Sequence, residues 1–341
     1  MLDRVMSGTA ERLSFSLIEA ARERIAGKVN LTPVMTSATL DARSGAQLYF
    51  KCENFQKAGA FKARGATNAV FALPPAQAQR GVATHSSGNH AAALARAARL
   101  RGIPAHVVMP DNTPQAKRAA VRRYGAEITW CAPTLAARES TAREVVATTG
   151  ATLIHPYDDL AVMAGQATAA VELLAQVGDL DVILCPVGGG GLLSGTAVAA
   201  KTLRPGIRVI GVEPAGADDA ARSFRAGRLV AAATPDTIAD GLRGTLGEKP
   251  FAEIRRWVDD IVTVPDEAIV RAMRTLWEVL KIVVEPSGAV PYAALLAPRP
   301  EFAGARIGIV LSGGNLDLDR LPWNAATPGA GARSTREDAE R

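Results

Sequence analysis

Val182-Ile183-Leu184-Cys185-Pro186-Val187 is an apolar run without polar alternation, and four glycines, Gly188 to Gly191, follow it at once. A short unbroken apolar run reads as a strand buried on both faces, the condition of a parallel sheet. Leu192-Leu193-Ser194-Gly195 then opens a helix-like stretch. Strand, turn and helix in this order make one β–α unit. A chain built of such units is confined to open α/β sheets with helices on their faces. The unit recurs. Gly81-Val82-Ala83 leads into the turn Thr84-His85-Ser86-Ser87-Gly88-Asn89-His90 and an alanine-rich segment ending at Arg99. Residues 105–110 and 126–130 read as strands, with a helix starting at Thr113 and another over 141–148. Residues 48–51, a second set from Asp181 to Val212, a long helix over 267–281 and a late strand over 307–311 continue the pattern, after an opening helix over 14–27.

The chain of 341 residues is long enough for two core-forming lobes. With 48% hydrophobic and 21% charged residues it reads as an ordinary globular protein. No apolar run approaches the roughly 20 residues of a membrane span, so no membrane partner is expected. Met1-Leu2-Asp3-Arg4-Val5 lacks the apolar segment of a secretory signal. Cys52, Cys131 and Cys185 have neither metal spacing nor an even count, so reduced thiols and a cytoplasmic location are expected. The net charge of +5 is scattered over helices without interleaved aromatics, which argues against a nucleic-acid partner. Residues 325–341, rich in Gly, Ala, Pro and charge, read as a disordered tail.

Three segments carry candidate chemistry. Lys62 follows the small-residue turn Lys57-Ala58-Gly59-Ala60-Phe61 and opens a small-residue helix. Against an apolar wall its ammonium is disfavoured, its pKa falls, and the amine becomes a nucleophile or base; a solvated surface charge is the other reading. The turn Ser86-Ser87-Gly88-Asn89-His90 starts a helix, so its N–H groups can hold a substrate carboxylate, or its side chains can simply cap that helix. The tetraglycine loop brings backbone close to a ligand and offers a nest of N–H donors. It lacks the lysine of a nucleotide P-loop and the third glycine of the dinucleotide fingerprint, so a monophosphate suits it, with a structural glycine loop as the alternative. Val310-Leu311-Ser312-Gly313-Gly314-Asn315 alone reads as a strand running into a polar turn.

In order and spacing these segments resemble the fold-type II pyridoxal phosphate enzymes, in the branch of serine/threonine dehydratases and serine racemases. The likeness runs from about Leu31 to about Asp317. It implies two open twisted parallel-sheet lobes with the cofactor in the cleft between them: a larger lobe over 1–80 and 152–324, a smaller one over 81–151, and a homodimer. It implies that Lys62 holds pyridoxal 5'-phosphate as a Schiff base beside Phe61, that Asn89 bonds its phenolic oxygen, and that Gly188, Gly189, Gly190, Gly191 and Leu192 cup its phosphate. Ser312 would partner the pyridine nitrogen, and Glu285 would lie near the ring. Ser86, Ser87, Gly88, Asn89 and His90 would bind substrate, with Ser87 facing Lys62 from the opposite side. Glu213, the carbonyl of Ala217 and Asp219 resemble a site for Mg²⁺ or Ca²⁺, although a solvated acidic turn reads equally from the residues.

The implied activity is that of an ammonia-lyase. Water is eliminated from L-threonine or L-serine, and the product hydrolyses to a 2-oxo acid and ammonia. Serine racemase and 3-hydroxyaspartate dehydratase are the alternatives, and a binding-only relative is the non-catalytic rival. A regulatory module of the biosynthetic threonine dehydratases is not recognised, which suggests a catabolic role. Ala60 stands where many relatives have serine, and Ala167 where Gly-Gln-Gly-Thr is usual; both leave the substrate open. Arg243 reads as a surface arginine or as the partner of a second substrate carboxylate.

Overall fold

The computed structural model describes residues 11–323, apart from Ser87, Pro114, Ala232, Ala233, Pro298 and the side chains of Ala116 and Leu135. Ten strands are present among these residues: β1 (Val34–Met35), β2 (Gln47–Cys52), β3 (Val82–His85), β4 (Ala105–Pro110), β5 (Glu127–Cys131), β6 (Thr152–Leu153), β7 (Val182–Pro186), β8 (Arg208–Pro214), β9 (Asp260–Val264) and β10 (Arg306–Leu311). They form a six-stranded sheet in the order β1-β2-β10-β7-β8-β9 and a four-stranded sheet in the order β5-β4-β3-β6. Every pairing is parallel except that of β1 with β2. This is the two-lobed α/β architecture that the repeated β–α units predict. β6 pairs with β3 through Val82 and Thr152, so the smaller sheet ends at Leu153, beyond the 81–151 span expected for its lobe. The tail over 325–341 lies outside the described residues.

The core follows from strand alternation. In β7 every residue is buried. Val182 and Leu184 face one layer, with Ile269, Met273 and Leu276 of the helix Asp266–Leu280. Ile183 and Cys185 face the other, with Leu193, Ala197 and Ala200 of the helix Gly191–Leu203. Period-two side chains on a strand covered on both faces leave no polar position, which is why this run read as unbroken apolar.

Two helices meet between the lobes. The helix Leu160–Val177 is capped by Asp159, whose carboxylate accepts from the N–H groups of Ala161 and Val162 at 2.8 and 3.1 Å. It is apolar and long enough to cross a membrane by length and composition, yet it is 67% buried in the protein. Against it lies the helix Lys62–Ala72. A Cβ placed on Gly165 would sit 2.6 Å from the Cα of Gly65, so the two backbones touch where neither residue carries a side chain. The Lys62–Ala72 helix also supplies Ala66, Ala69 and Val70 to the smaller lobe's core, with Leu94 and Val107. One helix thus joins the core of one lobe and the frame of the other.

Candidate active site

Lys62 is the first residue of its helix, which places its side chain at the end of the element facing the cleft. Its amine donates to the carbonyl of Pro156 at 2.7 Å and lies 5.1 Å from the centre of the Phe61 ring and 6.0 Å from that of Tyr157. Burial lowers its pKa to about 8. The free amine, the form that attacks a carbonyl or removes a proton, is therefore far more populated at neutral pH than in an exposed lysine.

The turn before Lys62 is zipped to the turn after β10. Phe61 N–H donates to Ser312 O at 3.0 Å, and Gly314 N–H to Gly59 O at 2.9 Å. Gly59 has a φ of +72°, and a Cβ there would lie 2.3 Å from Asn315 Oδ1, so only glycine allows the approach. Asn315 Nδ2 donates to Ala58 O at 2.7 Å and to Asn89 Oδ1 at 2.9 Å. Asn89 Nδ2 donates in turn to Glu285 Oε1 at 2.8 Å, and Asn315 N–H to Glu285 Oε2 at 3.1 Å. Burial, with Asp240 adding repulsion, pushes Glu285 up to about 8. Asn89, Glu285 and the segment after Ser312 are thus brought together with the lysine turn. Asn315, which joins them, was not singled out in the sequence, although it closes the Ser-Gly-Gly-Asn motif.

The tetraglycine loop lies on the same side. Among the described residues no acceptor binds the N–H groups of Gly188, Gly189 and Gly190. They precede the helix Gly191–Leu203, whose N-terminal partial charge adds to theirs. A Cβ on Gly189 would strike the Tyr157 ring at 2.3 Å, and one on Gly188 would lie 2.9 Å from the Cα of Leu242. Gly190, at a φ of +87°, meets Leu246. The glycines therefore serve packing and leave donors over, and the two readings of this loop hold together. Donors for a phosphate, and an amine of lowered pKa one tyrosine ring away from them, fit a phosphate-bearing aldehyde such as pyridoxal phosphate.

Residues not anticipated surround the amine. His155 Nδ1 accepts from the N–H groups of Asp158 at 2.9 Å and Tyr157 at 3.4 Å, which shapes the turn carrying Pro156 and Tyr157. Its ring meets those of Tyr157 and His85 edge-on, with centres 4.6 and 5.4 Å apart. Burial, with His85 next, holds His155 down at about 4, so it is a neutral acceptor. Arg138 has a buried Nε without an acceptor among the described residues, and its charge acts on both His85 and Tyr157. No spacing marks an arginine inside a helix as facing a cleft, so nothing in the residue order singles it out. Arg243 is exposed, and its Nε donates to Thr237 O at 2.9 Å.

Other candidates are placed differently. His90 turns inward and is 2% exposed, held neutral by burial and by the charge of Lys62. The open part of the turn therefore falls to Ser86, Gly88 and Asn89. Ser87 lies outside the described residues. Glu213 accepts from the N–H groups of Ala220 at 3.0 Å and Ala221 at 2.8 Å. Asp219 Oδ2 accepts from Leu246 N–H at 2.8 Å. These carboxylates are occupied by backbone donors. No cluster of three or more His, Cys, Asp or Glu side chains able to hold a metal occurs among the described residues.

Comparison with known proteins agrees with this geometry. The family described as "Pyridoxal-phosphate dependent enzyme" matches residues 25–313. The beta-hydroxyaspartate dehydratase of Paracoccus denitrificans is 54% identical, over 89% of this chain and 97% of that protein. The L-threo-3-hydroxyaspartate ammonia-lyase of Saccharomyces cerevisiae is 50% identical, over 88% of this chain and 92% of that protein. The structure of maize serine racemase, 49% identical, superposes with a TM-score of 0.88 over 91% of this chain and 95% of that one.

Proposed function

This chain belongs to the pyridoxal-phosphate dependent enzyme family, and on that premise we propose that it eliminates water from a 3-hydroxy amino acid, with 3-hydroxyaspartate ahead of threonine and serine. The observation that carries the reaction class is the Lys62 amine, half-buried without a counter-charge and set beside unused N–H donors. The expectation of threonine or serine gives way to its alternative. Two of the relatives described above are named for 3-hydroxyaspartate, and Arg138, with a buried Nε that has no acceptor among the described residues, offers a donor for a second carboxylate.

Bound pyridoxal phosphate would supply an electron sink that makes the substrate's α-proton acidic. Gly188 to Leu192 would hold its phosphate, Ser312 its ring nitrogen and Asn89 its phenolic oxygen, with Glu285 behind Asn89. The free amine of Lys62 takes the α-proton. The N–H groups at the start of the helix Asn89–Arg101 orient the α-carboxylate. Arg138 would hold the distal carboxylate, and the β-hydroxyl would leave as water, taking up one proton for the α-proton that Lys62 removes.

Racemisation is the second reading, favoured by the likeness to maize serine racemase, and Ser87 would be its second proton carrier. Leu31, 70% exposed, Phe55 and Val283 form an apolar surface suited to a second copy. Asn30 Nδ2 donates to Phe55 O, and Asn54 Nδ2 to Val283 O, drawing the three segments together.

The test is 2-oxo acid and ammonia release from each 3-hydroxy amino acid, with chiral chromatography of serine alongside. The highest kcat/KM is expected for 3-hydroxyaspartate. Faster release from threonine or serine would overturn the substrate, and racemisation without release would overturn the reaction.

A further inference from the structure

Behind Lys62, two residues along the same helical turn, lies a closed set of buried charges that the proposed chemistry does not use. Arg64 is fully buried. Its Nε and Nη2 donate to the two oxygens of Glu53 at 2.7 and 2.8 Å. Its Nη1 and Nη2 donate to the two oxygens of Glu172 at 2.7 and 2.6 Å, and Nη1 also to Thr168 Oγ1 at 3.1 Å. Lys51 Nζ donates to Glu172 at 2.7 Å, to Gln176 Oε1 at 2.9 Å and to Thr32 O at 2.8 Å. Two cations answer two carboxylates.

Such a planar fork, bidentate to two carboxylates, is satisfied in a single orientation. Glu53 follows β2, whereas Thr168 and Glu172 belong to the helix Leu160–Val177. The acceptor of the Lys62 amine, Pro156 O, lies four residues before that helix begins. Gly65 N–H donates to Gln166 Oε1 at 3.1 Å and Asn68 Nδ2 to Ala161 O at 2.7 Å, so the two helices are fastened along their length.

We propose that Arg64 is a positioning residue: by gripping Glu53 and Glu172 at once it fixes the Lys62 amine at the distance from the tetraglycine loop that Schiff-base formation requires. This rests on Lys62 being the amine that holds the cofactor. A lysine at position 64 keeps the charge but cannot span two carboxylates in one plane. The amine would then be displaced while the loop remained intact.

The test separates amine from loop. Wild type, Arg64→Lys, Glu172→Gln and Lys62→Ala are freed of cofactor and titrated with pyridoxal 5'-phosphate, followed by its borohydride-reducible absorbance. They are also titrated with 4'-deoxypyridoxine 5'-phosphate, which keeps ring and phosphate but has no aldehyde. For Arg64→Lys the dissociation constant of the aldehyde should rise on the order of 10–100-fold while that of the analogue stays within about twofold, as displacing a reactive group by about 1 Å costs. Equal weakening of both ligands, or of neither, overturns the proposal. Should Arg64→Lys not fold, Glu172→Gln decides by the same ratio, since it loosens the fork from its partly exposed side. A borohydride-reducible adduct on Lys62→Ala would instead overturn the role of Lys62, a separate failure.

Discussion

Two groups of buried ionisable side chains lie back to back across the first turn of the Lys62–Ala72 helix, and burial acts on them in opposite ways. In the Arg64 group, pairing outweighs burial for Glu53 and Arg64, whereas Lys51 is lowered because burial exceeds the pull of Glu172. Glu53 stays below the ordinary carboxylate range because Arg64 and the bonds from Arg64 and Thr32 outweigh its desolvation. Arg64 is raised for the same reason, by Glu53 and Glu172. Around Lys62 no such answer exists, and burial wins. The lysine falls to about 8, Glu285 climbs to about 8 and His155 drops to about 4. Paired burial gives a rigid frame, and unpaired burial leaves Lys62 and Glu285 able to exchange protons near pH 8 and His155 neutral.

The contrast is tested most severely by removing one lysine from each group. Lys62→Ala should lower turnover by on the order of 10²–10⁴-fold or more, the loss of a proton carrier and nucleophile, with a thermal midpoint close to wild type. Lys51→Met should do the reverse, costing about 3–5 kcal/mol in denaturant unfolding because Glu172 loses a buried partner, while kcat per folded molecule holds. If Lys51→Met abolished turnover without destabilising the fold, the division between frame and chemistry would collapse.

A smaller effect sharpens the chemical side. Arg138→Leu should reduce kcat/KM for 3-hydroxyaspartate by roughly 10–100-fold, the worth of a charged hydrogen bond of about 1.5–3 kcal/mol. Serine, which has no second carboxylate, should be little affected. A parallel loss on both substrates would return Arg138 to a structural part.

The smallest effect lies in stability against pH. The folded pKa of Glu285 stands above its ordinary 4.5, at about 8. The native state keeps a proton that the unfolded chain releases. The contribution is therefore whole below about pH 4.5 and is lost as pH rises through about 8. Thermal midpoints measured from about pH 5 to about pH 8 should decline in wild type and decline less in Glu285→Gln. Parallel slopes would mean that Glu285 is already ionised in the fold.

Much of this was legible in the sequence, for reasons that also mark where legibility stops. The strands over 105–110 and 307–311 were readable because apolar runs of strand length ended at proline or at a polar turn. The lysine turn and the tetraglycine were readable because backbone demands reserve such positions for glycine and small residues. The helix Leu160–Val177 was not singled out. It is buried on nearly every side, so its alanines and leucines show no stripe. β9 went unnoticed as an edge strand with a mixed pattern. The Arg64 group was invisible because its members, at 51, 53, 64 and 172, meet only through tertiary packing, and Arg64 alone looks like any helical arginine. His155 and Arg138 were missed for the same reason.

The position of β10 has a consequence for biosynthesis. It is the last strand among the described residues, yet it pairs with β2 on one side and β7 on the other, in the middle of the larger sheet. The lysine turn, made near the beginning, has nothing to zip against until Ser312 and Asn315 arrive about 250 residues later. At a synthesis rate of roughly 5–20 residues per second, that wait lasts from about ten seconds to a minute. Throughout it a nascent chain on the ribosome carries Lys62 without its pocket. Premature termination anywhere before residue 306 therefore leaves a product with an open slot between β2 and β7 and with no partner for the lysine turn.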